Sequence, residues 1–121
     1  MPSPNFSLLY VDSPEKSGAF YADLLGRPPV DASPTFVMFA LDHGLMLGLW
    51  SRHTVEPAAS AAGGGAELAF TVESEEAVRS THQDWQKRGI EILQKPARMD
   101  FGFTFVGLDP DGHRLRVFAP A

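Results

Sequence analysis

FSLLYVDSPEKSGAFYADLL, residues 6–25, and ELAFTVESEEAVRSTHQDWQ, residues 67–86, are two copies of one pattern. Each opens on six residues of alternating character, passes through a polar break and continues as an amphipathic helix. Val11 corresponds to Val72, and the breaks end in Ser13 and Ser74. A serine hydroxyl there accepts from an unpaired N–H of the first turn and starts the helix. Pro14 follows at the first helical position, where its missing N–H is not needed. Ser17, Phe20, Tyr21, Leu24 and Leu25 then fall on one stripe, and Gly26 stops the helix. In the second copy Glu75 and Glu76 occupy the first turn, where the helix dipole favours negative charge. Val78, Thr81 and Trp85 form a sparser stripe, and Lys87-Arg88-Gly89 closes it.

Short strands are predicted after each helix. The first set is Pro29–Val30, Phe36–Leu41 and Leu45–Trp50, with Asp42-His43-Gly44 as the hairpin turn. The second set is Ile90–Leu93, Phe103–Leu108 and His113–Phe118. Its last two members are joined by Asp109-Pro110-Asp111-Gly112, a strong turn sequence. The fold class is therefore α+β, with two tandem βαβββ modules in a single domain over 1–121. Module one spans 5–50 and module two 66–119, and SRHTVEPAASAAGGG (51–65) links them. A module of this size buries only about 60% of its unfolded surface. Each copy needs a neighbour, either the other half of the chain or a second chain.

Composition narrows the role. The 121 residues are 44% hydrophobic, ordinary for one globular domain. No apolar run approaches the roughly 20 residues of a membrane span, and MPSPNFSLLY lacks the pattern of a secretory signal. A cytoplasmic location, with no membrane partner, is expected by default. The absence of cysteine excludes disulfides, thiolate nucleophiles and thiolate metal sites. A net charge of -5 without a basic cluster argues against nucleic acid and leaves small molecules as the natural partners.

Alternation assigns the faces of the strands. Leu9, Val11, Val37, Phe39 and the leucines 45, 47 and 49 belong to the helix side of the first module. Phe6, Leu8, Tyr10, Phe36, Met38, Met46, Gly48 and Trp50 point the other way. In the second module Leu68, Phe70, Val72, Leu115 and Val117 are core, whereas Glu67, Ala69, Thr71, Arg114, Arg116 and Phe118 point away. A solvated sheet face is rich in threonine and lysine, and a plain core lacks charges. An aromatic surface with a few fixed charges is the composition of a ligand site. The competing reading is a dimer interface with charges at its rim.

The repeat, together with DSPEKSGAFYADLLG and DPDGHRLRV, resembles the vicinal oxygen chelate superfamily of glyoxalase I, extradiol dioxygenases and bleomycin resistance proteins. That resemblance implies paired modules whose curved mixed sheets form a cup, in a homodimer with exchanged modules. Metal-using members carry one ligand on the first and one on the last strand of each module. Those positions here look like Phe6, Gly48, Glu67 and Arg116. Phenylalanine and glycine offer no donor atom, and arginine is a permanent cation, so neither a metal nor any other cofactor is expected. The histidines, His43, His53, His82 and His113, fall in a turn, the linker, a helix and a turn-to-strand junction.

Within the superfamily, NFSLLYVDSPEKSGAFY, LMLGLWS, MDFGFTF and DPDGHRLRVFAP look most like the phenazine antibiotic resistance proteins, which sequester a planar tricyclic aromatic. The resemblance implies Trp50 as a stacking platform, with Phe36, Met38 and Phe101 or Phe103 as walls. Tyr10, Met46 and Phe118 complete the expected ligand-binding set. Arg116 is expected to hold a ligand carboxylate, with Glu67 as its partner or as an acceptor. No catalytic residue is expected, since a Glu67 ionised beside Arg116 is a weak base. The alternative is a metal-dependent glyoxalase- or dioxygenase-type enzyme of the same superfamily.

Overall fold

Both halves of the repeat fold to the same plan. The computed structural model describes residues 2–121, and the chain divides into two compact units between Ala62 and Gly63. The first unit holds β1 (Phe6–Val11), α1 (Pro14–Leu25), β2 (Asp31–Ala32), β3 (Phe36–Ala40) and β4 (Met46–Ser51). The second holds β5 (Glu67–Thr71), α2 (Glu75–Lys87), β6 (Glu91–Met99), β7 (Gly102–Leu108) and β8 (Arg114–Pro120). Strand order is β1-β4-β3-β2 in one four-stranded sheet and β5-β8-β7-β6 in the other. In each sheet the first strand runs parallel to the last and the other pairs are antiparallel. The parallel pair needs a long connection, which the helix and the intervening strands supply. The α+β class of tandem βαβββ units is thereby established.

The caps form where the sequence places them. Ser13 Oγ accepts from the Lys16 N–H at 3.2 Å, and Ser74 Oγ from the Ala77 N–H at 3.1 Å. Gly26 takes φ 66° and donates to the Ala22 carbonyl, ending α1. Helix α1 packs on β3 and β4, burying Tyr21 with Val11, Val37, Phe39, Leu47 and Leu49. Helix α2 packs on β6, β7 and β8, burying Val78 and Trp85 with Phe105, Leu115 and Val117. Asp109 is buried in the last turn, where its Oδ1 accepts from the Asp111 and His113 N–H groups at 2.8 and 2.9 Å.

Several elements depart from the sequence reading. The second strand forms at Asp31–Ala32 rather than Pro29–Val30: Pro29 has no N–H to give a ladder, and the Val30 N–H makes a single bond to the Met38 carbonyl just before the paired residues begin. Leu45 is 41% exposed and lies outside the core. It follows a 3-10 turn at Asp42–Gly44, and the ladder begins only at Met46. Strand β6 runs on to Met99, well past the predicted Leu93, through register shifts between Ile92, Gln94 and Ala97. Those irregularities, on an edge strand, accommodate Pro96, which has no N–H to give a ladder. Residues 51–55 also close back on the first unit. The Arg52 N–H donates to the Val11 carbonyl, Val55 is buried, and the His53 ring lies 2.7 Å from Asp12 Oδ1. That bond, with the Arg52 guanidinium beside it, holds the Asp12 carboxyl below its usual pKa.

Candidate functional site

Two sheet faces carry the residues of interest, one in each unit. In the first unit β1, β4 and β3 present Phe6, Leu8 and Tyr10, then Met46, Gly48 and Trp50, then Phe36 and Met38 on the side away from α1. Register explains the grouping, since Tyr10 and Phe36 both lie opposite Trp50, while Leu8 and Met38 both lie opposite Gly48. The Phe36 and Trp50 rings meet edge to face with centroids 6.1 Å apart. Phe6 and Leu8 remain 42% and 46% exposed, unusual for such side chains on a folded sheet. Phe6, Leu8, Phe36 and Trp50 line an open hollow of about 420 Å³.

Gly48 makes that hollow possible. A Cβ at this position would stand 2.7 Å from Leu8 Cδ2, 2.8 Å from Phe36 Cζ and 2.9 Å from Phe6 Cε1. Glycine therefore lets three apolar side chains close over the middle strand, where a longer residue would push their ends apart. Alternation had already put Phe6 and Leu8 on this face. Their part in the hollow depends on that missing Cβ.

In the second unit β8 presents Arg114, Arg116 and Phe118 along one line, with Glu67, Ala69 and Thr71 beside them on β5. Arg116 is the best-held side chain of the group. Its Nε and Nη2 donate to the two carboxylate oxygens of Glu67 at 2.7 and 3.0 Å. Its Nη1 donates to Thr104 Oγ1 at 3.2 Å and Gln94 Oε1 at 3.5 Å. Thr104 in turn donates to the Val117 carbonyl at 2.9 Å. Thr104 and Gln94 were not foreseen. They reach Arg116 from β7, the next strand, and from β6, one strand beyond it, where the bulged register sets Gln94 opposite Val106.

The bidentate bond from Arg116 is the main reason the Glu67 carboxyl sits below its usual pKa; partial burial opposes it, and charge from both arginines adds to it. A depressed folded-state pKa gives stability that is complete above the ordinary glutamate value, about 4.3, and is lost as pH falls through the lower folded value. Glu67→Gln is expected to be less stable than wild type at pH 7, with the gap closing on acidification. Urea midpoints for both proteins at pH 7 and pH 3 measure this; an unchanged gap at pH 3 contradicts it.

Phe101 and Phe103 separate. Simple alternation would put both on one face, but Gly102 between them has φ 147°, and a Cβ there would lie 2.0 Å from the Ala119 carbonyl oxygen. The chain flips at this glycine. Phe101 meets Phe118 edge to face at 5.7 Å, and the Arg116 guanidinium carbon lies 5.6 Å from its ring centre. Phe103 is buried on the helix side, beneath the guanidinium groups of Arg79 at 4.4 Å and Arg98 at 5.6 Å. It belongs to the packing of α2, so of the two expected walls the structure places only Phe101 on the charged face.

The expected ligand positions of a metal centre do not fit one. Phe6 and Gly48 have no donor atom, Arg116 is a cation, and both Glu67 oxygens are occupied by Arg116. Among the described residues, no three His, Cys, Asp or Glu side chains gather as a divalent ion requires. His82 packs on Phe105 at 5.2 Å between ring centres, and its Nε2 is buried without a hydrogen-bond partner. Burial, with the charge of Lys95 adding to it, holds its pKa below the usual imidazole value.

Fold and faces together define a glyoxalase-type βαβββ protein. The family model for the Glyoxalase/Bleomycin resistance protein/Dioxygenase superfamily matches residues 4–117, and the chain belongs to that family. Among curated proteins it is similar to the phenazine antibiotic resistance protein EhpR of Enterobacter agglomerans, with 31% identity over 118 residues, 95% of this chain and 90% of EhpR. The solution structure of protein ATC0852 from Agrobacterium tumefaciens is 56% identical, with a TM-score of 0.93 over 100% of this chain and 99% of that one. A glyoxalase-related enzyme from Fulvimarina pelagi shares the fold at 22% identity, with a TM-score of 0.85 over 98% of this chain and 88% of that one. Among the described residues no helix is long and apolar enough to cross a membrane.

Proposed function

We propose that this protein binds and sequesters a planar aromatic small molecule of the phenazine kind, without a metal and without chemical turnover. The observation that carries the reading is the exposed hollow of Phe6, Leu8, Phe36 and Trp50 over Gly48, where metal-using relatives would need donor atoms. Flat apolar walls with an indole among them suit a flat ring system. Similarity to EhpR, a phenazine antibiotic resistance protein, supports a resistance-type binding role. Trp50, Phe36, Met38, Met46 and Tyr10 are the proposed contacts in the first unit, and Phe101, Phe118, Glu67 and Arg116 those in the second. The working form is a homodimer in the cytoplasm, with modules exchanged between chains.

Titration with phenazine-1-carboxylate is expected to quench tryptophan fluorescence to saturation, with the same curve in the presence of a chelator. Stoichiometric Fe, Mn, Ni or Zn in protein purified without chelator, or quenching that the chelator abolishes, would reverse the reading in favour of a metal-dependent enzyme.

A further inference from the structure

We infer that Arg114, and not Arg116, is the residue that selects an anionic ligand, so that the preferred class is a planar aromatic carboxylate. This rests on the proposed sequestration role and sharpens it. Arginine has five N–H donors in a fixed fork. In Arg116 both edges of the fork are in use, with Glu67 across Nε and Nη2 and with Thr104 and Gln94 at Nη1. Its charge is cancelled by the carboxylate it grips, and its side chain is only 17% exposed. A ligand carboxylate arriving there would have to displace Glu67 from a bidentate pair and leave that glutamate uncompensated.

Arg114 is in the opposite condition. Its side chain is 43% exposed, and its Nη1 stands 3.8 Å from Glu67 Oε2, an oxygen already accepting from Arg116. Two guanidinium groups thus face one carboxylate, and the excess positive charge sits on the more open of the two. Glu91, on the same face, lies two strands away across Leu108, roughly 10 Å by strand spacing.

The spacing along β8 suits a tricyclic acid. Arg114 and Phe118 share a face and are four residues apart, roughly 13 Å at the rise of a strand. Phe101 and Phe118 form an aromatic end, and the Arg116–Glu67 pair lies in the middle as a flat, locally neutral floor on which a ring can rest. A ring system lying along this line carries its carboxylate to Arg114, which offers the paired donors that match its shape.

Equilibrium dialysis of phenazine-1-carboxylate and unsubstituted phenazine at pH 7 and low salt tests this. Wild type is expected to bind the acid about tenfold more tightly than phenazine, the low end for a charge-assisted hydrogen bond. Arg114→Gln should lose about tenfold for the acid and nothing for phenazine, a pattern that misfolding cannot produce. Equal affinity for the two compounds in wild type, or an Arg114→Gln that binds the acid normally or loses both ligands alike, overturns the assignment to Arg114 while leaving sequestration intact. Wild type that binds neither compound overturns both.

Discussion

Trp50→Ala is expected to remove almost all fluorescence quenching by phenazine-1-carboxylate and to weaken its binding by about thirtyfold or more. The magnitude is that of an aromatic anchor at the centre of a contact surface, about 2 kcal/mol or above. The two tryptophans make the readout clean. Trp85 is 4% exposed and enclosed between Phe70 and Phe105, with ring centroids at 5.8 and 5.1 Å, so a bound ligand does not reach it. Trp50 lines the hollow, held edge to face by Phe36. Full quenching with unchanged affinity in Trp50→Ala would remove the hollow from the binding reaction. A loss seen together with lower thermal stability is separated from this by Trp50→Phe, which restores a ring and should recover part of the affinity.

The largest effect on stability is expected from Phe105→Ala, a loss of about 3–5 kcal/mol. Phe105 has no exposed surface and touches the rings of Trp85 and His82 at 5.1 and 5.2 Å between centroids. It joins α2 to the middle of its sheet, so truncation leaves a cavity bounded by two rigid rings that cannot collapse into it. A domain of this size holds only about 5–15 kcal/mol in total, and the variant should unfold at much lower urea. A cost under about 1 kcal/mol would mean that α2 re-seats without this ring.

Much of this architecture was legible in the sequence because each layer of it has a short-range cause. Ser13 and Ser74 start helices by bonding the amide three residues on, and the alternation of FSLLYV and RLRVF decides which side chains face a helix. What escaped depends on contacts distant along the chain or on a break in period. Pro96 and the shifts around Gln94 hid most of β6, which reads as loop until β7 is there to pair with it. Gly102 reversed the side on which Phe101 lies, through a positive φ, and with the Ala119 carbonyl so near, no side chain could stand at that position. Arg116 was correctly placed on the face with Glu67, yet its fully engaged state could not be read, because Thr104 and Gln94 lie 12 and 22 residues away. The hollow of the first unit was half visible. Its aromatic lining follows from alternation, but a single glycine's effect on three side chains needs coordinates.

The bulged strand β6 has a further consequence, for solubility. It is the outer member of its sheet, and a straight outer strand would offer an unbroken row of N–H and carbonyl groups to any other chain. Pro96 deletes a donor from that row, the register shifts bend it, and exposed Lys95 sets a charge where a second copy would dock. Growth of the sheet into fibrillar aggregates is thereby discouraged at the margin with the longest strand, so a Pro96→Val, Lys95→Val double variant would lose that protection first.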